Sequence, residues 1–160
     1  MDIQPSRYAI ALGSNRPHGR HGAPQAVLRA AMAELRALGI VEHCSPLHRT
    51  EALGPAGRSF ANAALILRTD LDPPALLGAL KRIERSFGRR PGRRWGPRVL
   101  DLDIILWSGG RFASRRLAIP HPALAGRAFV LRPLAQIAPD WRVPGTGRAV
   151  RHLAFRARPH

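Results

Sequence analysis

The chain has 160 residues, 45% of them hydrophobic, which suffices for one compact domain spanning 1–160 and is too short for two ordinary ones. No apolar run reaches the roughly 18–20 residues of a membrane helix, and no basic segment leads into an apolar stretch at the start, so neither a membrane span nor a secretory leader is expected. The formal net charge is +16 and nearly all of it is arginine, Lys81 being the only lysine; the lone Cys44 excludes a disulfide framework and fits a reducing cytoplasm.

In chain order, residues 8–12 read as a short buried strand closed by the turn-prone Gly13-Ser14-Asn15. Residues 24–38 read as a helix, with Val27, Ala31, Leu35 and Leu38 on one face and Gly39 where a C-cap belongs. Residues 40–50 predict one strand, 51–59 a loop and 61–67 a further strand. Asp72 can cap the next helix, Pro73 suits its first turn, and Leu76, Leu80, Ile83 and Phe87 form an apolar stripe that Gly88 ends. Pro91 and Gly92 make 89–94 a loop, residues 100–107 predict a strand, and 129–138 are helical in part. The end beyond Trp141 is Arg-rich and weakly patterned, a basic tail over 142–160. Strand, helix, strand, strand, helix, strand is the element order of an α+β, ferredoxin-like two-layer sandwich, with helices on one face of a mostly antiparallel sheet.

Chemistry concentrates in Leu100-Asp101-Leu102-Asp103-Ile104-Ile105-Leu106. Alternation in a strand puts Asp101 and Asp103 on one face and Leu100, Leu102, Ile104 and Leu106 toward the core, with the acids' Cα atoms about 6.5–7 Å apart. Two carboxylates so placed repel unless a cation lies between them, and a few hard oxygen ligands suit Mg²⁺; the alternative is a solvated strand face. Just upstream lie Arg82, Arg85, Arg89, Arg90, Arg93, Arg94 and Arg98, a guanidinium cluster that suits a polyphosphate as well as a nucleic acid. The Walker A pattern is absent, since Lys81 is followed by Arg82, and the seven histidines show no zinc-ligand spacing.

Trp95-Gly96-Pro97-Arg98-Val99-Leu100-Asp101-Leu102-Asp103 resembles the signature of the dihydropterin pyrophosphokinases. Three more segments match in the same order: residues 10–15; Thr50 with Leu53-Gly54-Pro55 and Phe60-Ala61-Asn62-Ala63; and Pro120-His121 with Arg127 and Phe129. The resemblance covers about residues 8–141. It implies transfer of pyrophosphate from ATP to 6-hydroxymethyl-7,8-dihydropterin in folate biosynthesis, by a cytoplasmic monomer with small-molecule substrates and neither membrane nor nucleic-acid partners. It further implies two Mg²⁺ ions on Asp101 and Asp103 and catalytic arginines at Arg89 and Arg98, with Arg90 or Arg93 as a second loop arginine. Glu84, Trp95, Ile104, Arg116, His121 and Arg127 would line the ATP site, and Thr50, Leu53, Phe60, Asn62 and Phe129 the pterin pocket, beneath a loop over 88–94 that closes. Glu51, Ala118 and Pro122 stand where the family often has a proline, a hydroxyl-bearing residue and an aromatic.

Each residue also has a plainer reading. Phe60 and Phe129 could be ordinary core aromatics, His121 a turn residue, and Glu84 a solvated partner of Arg85 or Arg89. Two rivals to the whole remain: a nucleic-acid-binding basic domain, which has no need of a paired-acid strand, and a paralogue that keeps the fold without the activity.

Overall fold

The computed structural model describes residues 4–15, 22–51, 59–88 and 99–157. Its centre is a five-stranded antiparallel sheet made of β1 (Ser6–Ser14), β2 (Ile40–Cys44), β3 (His48–Glu51), β4 (Ser59–Thr69) and β5 (Asp101–Trp107). The order is β2-β4-β1-β5, with β3 beside the other half of β4. Helices α1 (Pro24–Leu35) and α2 (Pro73–Ser86) complete the ferredoxin-like arrangement.

Alternation along the strands builds two cores. Tyr8, Ile10 and Leu12 of β1, Leu65 and Leu67 of β4, and Leu102 and Ile104 of β5 pack with Leu28 and Leu35 of α1 and Leu76 and Leu80 of α2. As expected, α2 is capped by Asp72, whose Oδ1 accepts the Ala75 N–H at 2.9 Å. The other face carries Ala9, Ala11, Ala64 and Ile66, covered by α3 (Ala128–Ile137) and α4 (Val150–Arg156). α3 matches the helix expected in part over 129–138, while its place on this second face beside α4 is set by tertiary packing. Of two short hairpins, β6–β7 (Phe112–Ala113, Ala118–Ile119) packs Phe112 and Ile119 with the first core, and β8–β9 (Arg142–Val143, Arg148–Ala149) puts Val143 in the second. The segment read as a basic tail is folded through Ala157: Val143, Val150 and Leu153 are buried in the second core while Arg142, Arg151 and Arg156 are exposed. None of the described helices is long and apolar enough to cross a membrane.

Four local expectations are corrected. β1 continues through Gly13 and Ser14, because β4 pairs with both and β5 with Gly13, which overrides the turn propensity of those residues. The strand expected over 40–50 breaks into β2 and β3 at Pro46, which has no N–H to give a ladder; Ser45 Oγ accepts the Ala64 N–H at 2.9 Å across the break. Gly39 is no left-handed cap: its φ of 164° is extended, and a Cβ there would collide with the Arg68 carbonyl. Finally, a bulge inserts Ile105 opposite the Ala9–Ile10 step, so Leu106 leaves the first core and joins Ile105 in the second.

Candidate active site

At one end of the second face the helical cover is missing and a cavity of about 620 Å³ opens. Its floor is set by strand register. Gly13 pairs with Asn62 on one side and with Asp101 on the other, and Ala11 pairs with Ala64 and Asp103. Directly opposed residues of an antiparallel pair share a face. The floor is therefore the row Asn62–Gly13–Asp101 with Ala11 and Asp103 beside it, in which small residues separate an amide from two acids. Two interstrand spacings put the Asn62 and Asp101 backbones about 10 Å apart.

Phe60, one alternate position before Asn62, and Phe129, near the start of α3, line the same cavity and are 37% and 48% exposed. They are not core aromatics. Between Phe129 and the acids stands Arg127, its guanidinium 5.8 Å from the Phe129 ring centroid and 3.8 Å from Asp103 Oδ2. His48, opposite Asn62 in register, meets Gln136 of α3 at 2.6 Å and ties β3 to that helix. Thr50 is opposite Phe60 in the backbone register.

Burial, and then the neighbouring charge of Asp101, push the Asp103 carboxyl above the usual carboxylate range, against the pull of His121 and Arg127. That is the electrostatic signature of two acids crowded onto one face, and the donor set fits a hard divalent cation. Among the described residues no third His, Cys, Asp or Glu completes a protein-only cage, which suits Mg²⁺ sharing its shell with water and phosphate. His121 hangs on the edge of β5, its N–H donating to the Ile105 carbonyl at 3.0 Å. Its Nδ1 accepts the Ala123 N–H at 3.1 Å, which leaves the ring proton on Nε2. Burial lowers its pKa below the ordinary histidine value despite the opposing charge of Asp103.

Three expected ligand residues lie elsewhere. Glu84 is fully buried beneath β5, with Oε2 accepting the Leu102 N–H at 2.9 Å and Oε1 3.2 Å from Lys81 Nζ; it is not a solvated helix residue. The Ile104 side chain is in the first core, on the face away from the acids, so only its backbone is available to a ligand. Arg116 is exposed in the turn between β6 and β7 and does not line the cavity. Leu53, Arg89, Arg90, Arg93, Trp95 and Arg98, with the loop over 89–94, lie outside the described residues.

Gly13 and Asn15 were passed over as turn residues, yet both line the cavity. Asn15 Oδ1 is buried without a hydrogen-bond partner among the described residues. The signal was their place in the first matching segment, masked by their turn propensity.

The family described as 7,8-dihydro-6-hydroxymethylpterin-pyrophosphokinase (HPPK) matches residues 9–139. The 2-amino-4-hydroxy-6-hydroxymethyldihydropteridine pyrophosphokinase of Synechocystis sp. is 46% identical over 128 residues, covering 79% of this chain and 66% of the relative. Its namesake in Pseudomonas aeruginosa is 44% identical over 141 residues, covering 86% and 84%. The mitochondrial folate synthesis bifunctional protein of Arabidopsis thaliana is 40% identical over 142 residues, 86% of this chain but 24% of that longer protein. In fold, the solved HPPK-DHPS of Plasmodium falciparum matches 96% of this chain with a TM-score of 0.75 at 13% identity, and the match spans 41% of the solved chain. The matched stretch contains the Asn62–Gly13–Asp101 row, Asp103 and both phenylalanines of the cavity, and the chain belongs to the 7,8-dihydro-6-hydroxymethylpterin-pyrophosphokinase family.

Proposed function

We propose that this chain transfers the pyrophosphoryl group of ATP to the hydroxymethyl oxygen of 6-hydroxymethyl-7,8-dihydropterin, releasing AMP, in folate biosynthesis. The observation that carries the reading is the Asn62–Gly13–Asp101 row: one floor joins an amide, suited to the polar edge of a heterocycle, to a pair of acids suited to a metal-bound triphosphate. Phe60 and Phe129 can take the flat ring between them. By the family resemblance, Thr50 and Leu53 would belong to the same pocket. The hydroxymethyl arm then points along the row toward β5.

The pterin oxygen attacks the β-phosphorus, the bond from that phosphorus to the α,β-bridging oxygen breaks, and AMP leaves with that oxygen while the hydroxyl proton is released. Such a transfer needs positioning and charge neutralisation more than covalent help. Asp101 and Asp103 would hold Mg²⁺, two ions by the family resemblance. When bound, Mg²⁺ neutralises phosphate oxygens and polarises the phosphorus toward attack. Arg127, already drawn to Asp103, is placed to follow the phosphates, and Nε2–H of His121 is a donor for the nucleotide side. Arg89 and Arg98 would stabilise the transferring group, with Trp95 on the nucleotide. The Ile104 backbone would meet the base, and Glu84 would serve the site by holding β5. The absence of disulfide chemistry in the sequence supports a cytoplasmic setting.

The test is AMP formation from ATP and Mg²⁺ with and without the pterin. Pterin-dependent AMP is expected. No AMP, or ADP in its place, overturns the reading.

A further inference from the structure

Gly13 lies between the two halves of the floor, pairing with Asn62 and with Asp101 at once. Its glycine is not demanded by the backbone, since Gly13 is not among the residues at positive φ and sits in an ordinary strand. What the position demands is space. A Cβ built there would stand 3.3 Å from Asn62 Oδ1, closer than side chains ordinarily tolerate, and no other described atom comes within 4 Å. The Asn62 amide therefore lies over β1 in room that only a glycine leaves, on the floor it shares with Asp101.

We infer that Gly13 is a positioning residue for heterocycle recognition, acting through Asn62. The bare centre of the row lets the Asn62 amide take the orientation that meets the polar edge of the ring. It also keeps the floor flat, so that the ring can lie against β1 with its reactive arm toward the acids. A methyl at this position pushes on the amide oxygen, and the amide must turn or lift, carrying its donor and acceptor out of line. A hydrogen bond weakens steeply as its geometry departs from linear, so a small displacement is enough. Asp101, on the other side of Gly13, meets no such contact, which separates the two ligands: the pterin side feels the change and the phosphate side does not.

This inference rests on the proposed pterin activity, and its test separates the two. Calorimetry of 6-hydroxymethyl-7,8-dihydropterin binding, with an inert ATP analogue and Mg²⁺ present, is run on the wild type, Gly13→Ala, Asn62→Ala and the double variant. Gly13→Ala is expected to weaken pterin binding roughly 5- to 50-fold, the range for a lost or misaligned hydrogen bond to a ligand. Affinity for the ATP analogue alone should stay within about twofold, the scatter of independent sites. The double variant should bind pterin as Asn62→Ala does, because the effect of the methyl runs through an amide no longer there. Should Gly13→Ala fail to fold, the double variant, free of the contact, still gives the comparison with Asn62→Ala. Wild-type pterin affinity in Gly13→Ala, or a further loss in the double variant beyond Asn62→Ala, overturns the inference alone. A wild type that binds no pterin overturns the functional reading and this inference with it.

Discussion

The carboxylate of Glu84 accepts the backbone N–H of Leu102 at 2.9 Å, and Leu102 is the residue between Asp101 and Asp103. β5 is at the edge of the sheet, where N–H groups facing outward have no ladder partner, and α2 supplies one from beneath. Glu84→Ala should destabilise the fold by about 1–3 kcal/mol by leaving that buried N–H unsatisfied. It should also raise the Mg²⁺ concentration needed for AMP formation, because the acids would lose their fixed spacing. Glu84→Gln retains a carbonyl acceptor and should recover most of both. Urea unfolding and a Mg²⁺ titration of the three proteins measure this. An alanine variant as stable as the wild type would show that the Leu102 bond contributes nothing.

Asp103→Asn should abolish pyrophosphoryl transfer while leaving the metal-free fold as stable as the wild type or more so. The carboxylate is crowded by burial and by Asp101, so neutralising it relieves repulsion. Activity and thermal unfolding without Mg²⁺ are to be read together. Near-normal turnover in Asp103→Asn would remove the metal assignment.

Phe129→Ala should weaken pterin binding by about 0.5–1.5 kcal/mol or more through lost ring stacking. The melting temperature should barely move, since the side chain is already 48% exposed. Leu131, two residues on and fully buried, gives the contrast: its alanine variant should destabilise by about 2–5 kcal/mol. Calorimetry with scanning thermal unfolding distinguishes the two. Equal loss of stability in both variants would make Phe129 a structural residue.

Tyr8 donates its hydroxyl to the Leu71 carbonyl at 2.8 Å, and burial together with Asp72 pushes its pKa up to about 12 from 10.0. A folded pKa raised above the unfolded one favours the neutral phenol. The stability this contributes is complete below about pH 10 and lost as pH rises through about 12. Tyr8 is the only tyrosine, which makes its titration separable. The stability gap between wild type and Tyr8→Phe should therefore be widest near about pH 8 and narrow toward about pH 12. Urea unfolding across that range gives the gap directly. A gap independent of pH would mean that Tyr8 ionises alike in both states.

The helices were legible in the sequence because their signals are local. The stripe of Leu76, Leu80, Ile83 and Phe87, with Asp72 before it and Gly88 after it, needs no partner to be read. The Asp101–Asp103 alternation is legible for the same reason, and the four ordered segments around it carried the family. What the tertiary structure alone decided rests on partners far away along the chain. Gly13 and Ser14 look like a turn until β4 pairs with both and β5 with Gly13. Ile105 looks like one more alternating residue until the Ala9–Ile10 step makes it a bulge and turns Leu106 over. Glu84 reads as a surface acid until its carboxylate is found on the Leu102 N–H, and the Arg-rich end reads as a tail until Val143, Val150 and Leu153 bury themselves on a sheet face that no local pattern announces. Periodicity is a property of neighbouring residues and survives in the sequence. Register, bulges and buried hydrogen bonds belong to pairs that only folding brings together.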